Sequence, residues 1–281
     1  MKDLNGRTAV LTGASGGLGV YMAGALAEAG MNLVLVAYPG VELEPLRQEI
    51  AKKGRKVVAL ALDLREDAQR LQALERARQE FGAIDVLVNN AGVELSSFFH
   101  ELPEQWLKDI LAVNLEAPMR LSWLVLPEML KRGAGHIVNI SSLAGKAGPG
   151  YQEPYAATKA GLVAFTQSFR ATYRGTGVSA SVICPGFIEA GIYARLKEDT
   201  GCAAPWTLGT SPPEPVARAV VRAIQKDLPE VIINPLPVRP LFAFIALFPR
   251  AGEWLVRQLG VHRFFKGAVE AQKRKQNNLA A

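Results

Sequence analysis

Cysteine is scarce in this 281-residue sequence, which contains only Cys184 and Cys202. Two cysteines cannot form a disulfide framework, and such scarcity is typical of a reducing compartment. The N-terminal residues contain no apolar signal core, and the longest apolar run near the C-terminus, residues 240–249, is far shorter than the ~20 residues of a membrane-spanning helix. These absences predict a cytoplasmic protein.

Metal-binding patterns are also lacking. Neither cysteine has metal-ligand spacing or a paired histidine, and His100, His136 and His262 form no cluster in the sequence. Metal sites are built from several such ligands at characteristic spacings. We therefore expect no metal site.

Positive charge is concentrated in one part of the chain. The segment from Arg239 to Lys275 contains eight Lys or Arg residues and two acidic residues, so it accounts for the whole net charge of +6. The rest of the chain is balanced, whereas a nucleic-acid-binding domain presents a basic patch or stripe of its own. The sequence therefore predicts no nucleic-acid partner.

Short apolar, β-branched segments alternate with longer segments of helical period as far as about residue 234. Continuous apolar runs such as residues 34–36 are typical of strands buried on both faces of a parallel sheet. The alternation predicts an α/β fold, a Rossmann-type doubly wound three-layer sandwich with about seven parallel strands. The predicted strands are Thr8–Thr12, Asn32–Ala37, Lys56–Ala61, Ile84–Asn89, His136–Ser141, Val178–Cys184 and Glu230–Asn234; the predicted helices are Gly17–Ala29, Val41–Lys53, Glu66–Phe81, Glu104–Lys131, Pro154–Gly175 and Glu214–Asp227. We expect one catalytic domain, residues 1–234, with a short helical extension, residues 235–281.

A glycine-rich turn follows the first predicted strand, where ligands of such sheets bind. It reads Thr12-Gly13-Ala14-Ser15-Gly16-Gly17-Leu18-Gly19 and leads into an Ala-rich helix. Glycines allow the backbone to turn tightly and approach a pyrophosphate, whose charge is favoured at a helix N-terminus. This position makes a dinucleotide site a better interpretation than a plain glycine-rich turn.

Thr-Gly-x-x-x-Gly-x-Gly, followed by Asn89-Asn90-Ala91-Gly92, resembles the short-chain dehydrogenase/reductase family of single-domain type, over residues 7 to about 234. The resemblance implies a nicotinamide cofactor, with Asp63 beside the adenine and the Pro185-Gly186 turn beside the nicotinamide. The threonine that many relatives have after that turn is replaced by Ala190, which leaves the backbone of Ile188 to contact the carboxamide. The expected cofactor-binding residues are Gly13, Ser15, Gly17, Leu18, Gly19, Tyr38, Asp63, Leu64, Asn90, Ala91, Gly92, Tyr155, Lys159, Pro185, Gly186 and Ile188.

The choice between the two nicotinamide cofactors depends on the end of the second strand. An acid there would bind a free ribose 2′-hydroxyl and repel a 2′-phosphate, but the residue is Ala37. Gly16 and Tyr38 also lack the basic side chain that NADP-using relatives often carry, although Tyr38 could donate a hydrogen bond to a phosphate. The balance slightly favours NADP(H) over NAD(H).

Tyr155 and Lys159 are four residues apart on a predicted helix and therefore share one face. A phenol with a pKa near 10 needs a nearby cation to exchange protons at neutral pH, and Lys159 is expected to lower it. Ser142, thirteen residues before Tyr155 as in the family, would donate a hydrogen bond to the substrate oxygen. The resemblance implies that Asn114 holds a water in a proton relay. Strand alternation allows only one of Ser141 and Ser142 to face the cleft.

The predicted activity is hydride transfer between the nicotinamide and a ketone or secondary alcohol on a small molecule. One alternative is a cofactor-binding regulatory or scaffold protein without turnover, which would not need the proton donor. A second is an epimerase or dehydratase, for which the chain after Asn234 is short and apolar. Family resemblance implies a homodimer or homotetramer assembled through the long helices near residues 104–131 and 154–175.

Two segments are open to more than one interpretation. Residues 189–213, rich in Gly, Pro and polar residues, are typical of the mobile substrate loop of the family or of a loose surface loop. The basic, aromatic-rich extension could pack on the core or on another subunit, cover a lipophilic substrate, or lie peripherally on an anionic membrane surface.

Overall fold

The centre of the computed structural model is a seven-stranded parallel sheet; the backbone is described for residues 1–280 and the side chains for residues 1–275. The strands are β1 Thr8–Thr12, β2 Asn32–Ala37, β3 Val57–Ala61, β4 Val86–Asn89, β5 Gly135–Ile140, β6 Val178–Pro185 and β7 Glu230–Ile233. They lie in the order β3-β2-β1-β4-β5-β6-β7, so β2 and β3 extend the sheet on one side of β1 and β4 to β7 extend it on the other. The predicted Rossmann-type α/β fold is confirmed.

Helices cover both faces of this sheet. The helix bounds are α1 Gly17–Glu28, α2 Glu44–Lys52, α3 Asp67–Phe81, α4 Glu104–Leu111, α5 Ala117–Arg132, α6 Glu153–Thr172, α7 Gly191–Thr200, α8 Glu214–Lys226, α9 Arg239–Leu247, α10 Pro249–Gln258 and α11 Val261–Ala280. Alternate side chains of β1 enter different cores: Ala9 and Leu11 pack with α1, α2 and α8, and Val10 packs with α3, α5 and α6.

Two segments differ from the sequence prediction. The single helix expected over residues 104–131 is interrupted by a π-helical turn, Ala112–Glu116, which contains Asn114. The segment expected to be a loop, residues 189–213, contains α7, whose Tyr193 and Leu196 are buried against Phe264 and Phe265 of α11. Burial against the extension therefore stabilises a helix that local composition does not indicate.

The extension contains α9, α10 and α11, and each packs differently. Phe264, Phe265 and Ala268 place α11 against α7, while α9 and α10 cross closely at Gly252, where a Cβ would lie 2.8 Å from the Ile245 Cα. Over the part of the chain that is described, no helix has the length and apolar character needed to cross a bilayer. The division at residue 234 stays a prediction.

Candidate active site

A cavity of about 590 Å³ opens at the carboxyl ends of the strands, the edge at which parallel sheets bind ligands. Residues that follow β1, β4, β5 and β6 line it, together with residues of α7 and the C-terminal extension. It is continuous from Tyr38 at one side to Tyr155 and the extension at the other. Most of the predicted nucleotide and catalytic residues therefore face one space.

The glycine-rich turn after β1 is held close to the neighbouring strand. Gly13 has a φ of +63°, and a Cβ there would lie 2.8 Å from the Ala91 Cα, so a side chain is excluded on conformational and steric grounds. A Cβ at Gly19 would lie 2.1 Å from the Gly13 carbonyl oxygen. Glycine at both positions permits α1 to begin directly after the turn, so the N-terminus of the helix lies next to the cavity-lining residues Ser15 and Gly16.

Hydrogen bonds between β1 and β4 fix the shape of this turn. The backbone amides of Asn90 and Ala91 donate to Thr12 Oγ1 at 3.0 and 3.1 Å, and Asn90 Nδ2 donates to the carbonyl oxygens of Thr12 and Gly13. The Asn-Asn-Ala-Gly motif therefore braces the glycine turn. Such pre-organisation reduces the entropy lost when a ligand binds.

At the Tyr38 end of the cavity the sequence analysis missed a basic residue, Arg65. Its guanidinium donates to both carboxylate oxygens of Asp63, to Asp109 Oδ2 and to the Tyr38 hydroxyl, the last at 3.0 Å. These hydrogen bonds hold the pKa of the Asp63 carboxyl below its usual range. One cation between two carboxylates leaves this cluster with a net charge of −1.

The backbone brings Ser142, Tyr155 and Lys159 to the middle of the cavity. Gly145 lies in the short 3₁₀ turn after β5, and a Cβ there would lie 2.6 Å from the Lys159 backbone carbon, so α6 can approach this turn only because the residue is glycine. Ser142 caps the turn and faces the cavity, and its Oγ accepts a hydrogen bond from the Ala144 amide at 3.1 Å. Ser141 Oγ instead donates to the Lys159 carbonyl oxygen.

Burial dominates the acid–base properties of this pair. Lys159 Nζ lies 5.5 Å from the centre of the Tyr155 ring and donates to the Ile140 carbonyl oxygen at 2.9 Å. Burial lowers the pKa of the Lys159 ammonium to about 8. Burial also raises the pKa of the Tyr155 hydroxyl, opposed by a hydrogen bond from Ser142. The direction for Tyr155 is opposite to the one expected from a nearby cation, because burial of the hydroxyl is the largest effect on its pKa.

Asn114 is fully buried behind the cavity, on the π-helical turn. Its Oδ1 accepts from the Val93 amide and its Nδ2 donates to the Val93 carbonyl oxygen, both at 2.8 Å. A Cβ at Gly92 would lie 3.4 Å from Asn114 Oδ1 and 3.5 Å from Lys159 Nζ. The Asn114 side chain therefore fixes the loop after β4 beside Lys159, and its polar atoms are already engaged.

Most of the predicted cofactor-binding residues line the cavity, and the exceptions have packing contacts. Gly17 lies against Gly191, where a Cβ on Gly17 would be 2.2 Å from the Gly191 Cα, and Gly19 lies against the turn. Ala190 and Ile188 both line the cavity. The predicted cofactor-binding residues that line the cavity are Gly13, Ser15, Leu18, Tyr38, Asp63, Leu64, Asn90, Ala91, Gly92, Tyr155, Lys159, Pro185, Gly186 and Ile188.

A polar cluster beside Tyr155 was missed by the sequence analysis. Gln152 lines the cavity three residues before Tyr155, and its Nε2 donates to Glu94 Oε1 at 2.7 Å. The Ser96 hydroxyl also donates to Glu94, and burial raises the pKa of the Glu94 carboxyl. The spacing of Gln152 and Tyr155 at the start of α6 was a signal available in the sequence.

A second Tyr-x-x-x-Lys pair, Tyr193 and Lys197, also escaped notice. Lys197 Nζ lies 5.9 Å from the Tyr193 ring centre and pairs with Glu189, and nearly half of its side chain is exposed. The Tyr193 hydroxyl accepts a hydrogen bond from the Ala204 amide. Spacing alone does not distinguish the two pairs, whereas burial and the neighbouring Ser142 distinguish the first.

The extension supplies an apolar wall to the same cavity. Side chains from all three of its helices, and from the residues on either side of them, face the space beyond Tyr155 and Phe187. They are Val238, Leu241, Phe242, Ile245, Val256, Leu259, Val261 and Phe265.

The residues present fit a dinucleotide. The turn at Gly13 excludes a side chain, the N-terminus of α1 follows the cavity-lining residues Ser15 and Gly16, and one continuous space joins Tyr38 to Tyr155. Residues 1–275 contain no grouping of three His, Cys, Asp or Glu side chains that could hold a metal ion.

Comparison with known proteins agrees with this geometry. The family model described as short chain dehydrogenase matches residues 7–201. The chain is 38% identical over 275 residues to the ketoacyl reductase HetN of Nostoc sp. (strain PCC 7120), covering 96% of this chain and 95% of that protein. It is 33% identical over 248 residues to the oxidoreductase UcpA of Escherichia coli (strain K12), covering 88% and 89%. It is 34% identical over 197 residues to the 3-oxoacyl-acyl-carrier-protein reductase FabG of the same organism, covering 70% and 80%.

The matched segment contains the glycine turn, the Asn-Asn-Ala-Gly motif and the Ser142, Tyr155 and Lys159 side chains. This match, over more than half of the chain, shows the family of the protein and the general chemistry of that family. The chain belongs to the short-chain dehydrogenase family and is an NAD(P)-dependent oxidoreductase acting on alcohol and carbonyl groups.

Proposed function

We propose that this enzyme reduces a ketone on a lipophilic acyl substrate, using NADPH in preference to NADH. The observation that carries the proposal is the convergence of Ser142, Tyr155 and Lys159 on a cavity whose far wall is apolar. The ketoacyl reductase HetN and the 3-oxoacyl reductase FabG, which the chain resembles over most of its length, support the same substrate class.

The bound nicotinamide would supply the hydride, and the chain would supply proton transfer and positioning. Hydride addition to a ketone leaves an alkoxide, and the Tyr155 hydroxyl is placed to give it a proton. The Ser142 hydroxyl would donate a hydrogen bond to the same oxygen and hold it beside Tyr155. The positive charge of Lys159 would stabilise the tyrosinate that remains.

Asn114 is proposed as a positioning residue. Its two hydrogen bonds to Val93 fix the loop that borders Lys159. The water relay implied by family resemblance stays a prediction, since the side-chain atoms of Asn114 are engaged by Val93.

The proposed cofactor preference rests on two features at the Tyr38 end. Ala37 offers no carboxylate to a ribose 2′-hydroxyl, and Tyr38 with Arg65 offers hydrogen-bond donors to a 2′-phosphate. Because Asp63 and Asp109 together outweigh the Arg65 charge, the preference is expected to be modest, less than about tenfold in Kd.

Titration of the protein with NADPH and NADH, followed by cofactor fluorescence, measures this preference. Ala37→Asp would place a carboxylate beside the ribose and is expected to weaken NADPH binding by about tenfold or more, reversing the preference. NADH binding by the same variant is the control that the site is intact. Tighter NADH binding by the unaltered protein would contradict the proposal.

Substrate class is tested by acyl chain length. A buried CH₂ contributes about 0.8 kcal/mol, so extending a 3-oxoacyl substrate from about four to about ten carbons is expected to raise kcat/KM at least about tenfold. Leu241→Asn, on the cavity wall, should reduce this gain. Leu247→Asn, on the same helix but outside the cavity, should not. Equal kcat/KM for short and long chains would contradict a lipophilic substrate.

We also propose a homodimer or homotetramer. Met119 and Trp123 on α5 are large apolar side chains exposed in the single chain, and exposed patches of this kind are typical of subunit interfaces.

A further inference from the structure

Helix α9 is apolar on two opposite faces. Leu241, Phe242 and Ile245 line the cavity, so the inner face already has a role. Phe244, Leu247 and Phe248 follow at helical spacing on the other side and are exposed, Leu247 to 73%. Between Pro240 and Pro249 no polar side chain interrupts the outer side.

The next helix continues the exposed apolar surface. Trp254 on α10 is 63% exposed, and with Phe244, Leu247 and Phe248 it forms what we call the outer face. The Phe244 and Phe248 rings pack together, with their centres 5.3 Å apart. A single exposed apolar residue needs no explanation, but a cluster of this size indicates a surface that binds a partner.

The charges beside the outer face are mostly positive. Arg239 begins α9 and pairs with Glu230, Arg250 lies two residues after Phe248, and Arg257 follows on α10. The one acidic residue of these two helices is Glu253, which pairs with Arg257. A net positive surface around apolar and aromatic side chains complements an anionic lipid headgroup layer with acyl chains beneath it.

We propose that the outer face docks on an anionic membrane surface. Phe244, Leu247, Phe248 and Trp254 would enter the interface between headgroups and acyl chains, and the arginines would contact lipid phosphates. Because the inner face of α9 is a wall of the cavity, docking would place the cavity beside the lipid phase. The further step, entry of a lipophilic substrate by this route, rests on the proposed function.

Vesicle co-sedimentation without cofactor or substrate tests the docking separately from catalysis. Vesicles of phosphatidylcholine with about 30% phosphatidylglycerol are expected to bind the protein at least about tenfold more tightly than pure phosphatidylcholine. Raising the salt from about 50 to about 500 mM should weaken the binding, because the electrostatic part is screened. Trp254 fluorescence should be quenched by brominated lipid in the same vesicles.

Leu247→Glu with Phe248→Glu should reduce binding at least about tenfold, since two apolar anchors become anionic. Leu71→Glu, at an exposed apolar position on α3, is the matched control and should bind like the unaltered protein. Absence of vesicle binding and of lipid quenching in the unaltered protein at low salt would overturn the proposal. The proposal would also be overturned if the unaltered protein bound no vesicles and the double variant had a lower molar mass than the unaltered protein in light scattering. The outer face would then be an interface between two copies. If the unaltered protein binds vesicles but does not reduce 3-oxoacyl substrates, only the proposed function is contradicted.

Discussion

Replacement of Tyr155 by phenylalanine is expected to lower kcat by about 10³-fold, within the range for loss of a general acid. The ring would still fill its buried position, so the fold and cofactor affinity should be retained. In the proposed mechanism, the Tyr155 hydroxyl protonates the alkoxide beside Ser142. The measurement is kcat for ketone reduction together with cofactor Kd by fluorescence titration.

The matched control for this variant is Tyr151→Phe. Tyr151 lies four residues earlier, and its ring packs against those of Phe98 and His262 rather than beside Lys159. Its hydroxyl has no part in the proposed chemistry, so kcat should change by less than about threefold. A Tyr155→Phe enzyme with kcat within about tenfold of normal would refute the proposed mechanism.

Replacement of Lys159 by methionine is expected to lower kcat by about 10² to 10³-fold and to weaken cofactor binding. The ammonium is buried, and its hydrogen bond to the Ile140 carbonyl oxygen holds it below Gly92 at the cavity wall. In the proposed mechanism this charge stabilises the tyrosinate left after proton transfer, and methionine would remove that stabilisation. Turnover at saturating substrate and cofactor titration measure the two effects separately.

The second Tyr-x-x-x-Lys pair provides an internal control for this experiment. Lys197 has the same spacing from Tyr193 and nearly the same distance from its ring, but it is exposed and paired with Glu189. Lys197→Met should therefore leave kcat within about threefold of normal. Equal losses in the two variants would show that Lys159 acts through the net charge of the protein rather than at Tyr155.

Local patterns predicted the sheet and the position of the glycine turn after β1. Strands β1 and β2 have the predicted bounds because their continuous apolar residues are buried on both faces of the sheet. The glycine turn was predictable because Gly13 has a positive φ, which glycine adopts without a steric penalty.

Features that depend on contacts between distant segments were not predictable from those patterns. Helix α7 is stabilised by Phe264 and Phe265, about seventy residues further along the chain, and nothing near Tyr193 indicates this. The contact between Arg65 and Tyr38 likewise joins the ends of two strands. The raised pKa of Tyr155 reflects burial, which spacing does not report.

The packing of the extension bears on two of its interpretations, contact with the rest of the chain and a wall for the substrate cavity, whereas contact with another subunit or a membrane stays a proposal. Helix α11 lies on the core through Phe264 and Phe265, whereas α9 and α10 line the cavity beyond Tyr155. The sequence predicted an apolar and basic segment but contained no information on which helix faces which neighbour.

The apolar wall of the cavity lies after residue 201, where the family match ends, while the reacting side chains lie before it. Mutations accumulating in α9 and α10 during evolution can therefore remodel what the enzyme accepts without disturbing how it reacts. Two descendants of one ancestor could share every residue of the proton-transfer apparatus and still diverge in metabolic role. The residues proposed for catalysis and those proposed to select the substrate therefore lie in different segments of the chain.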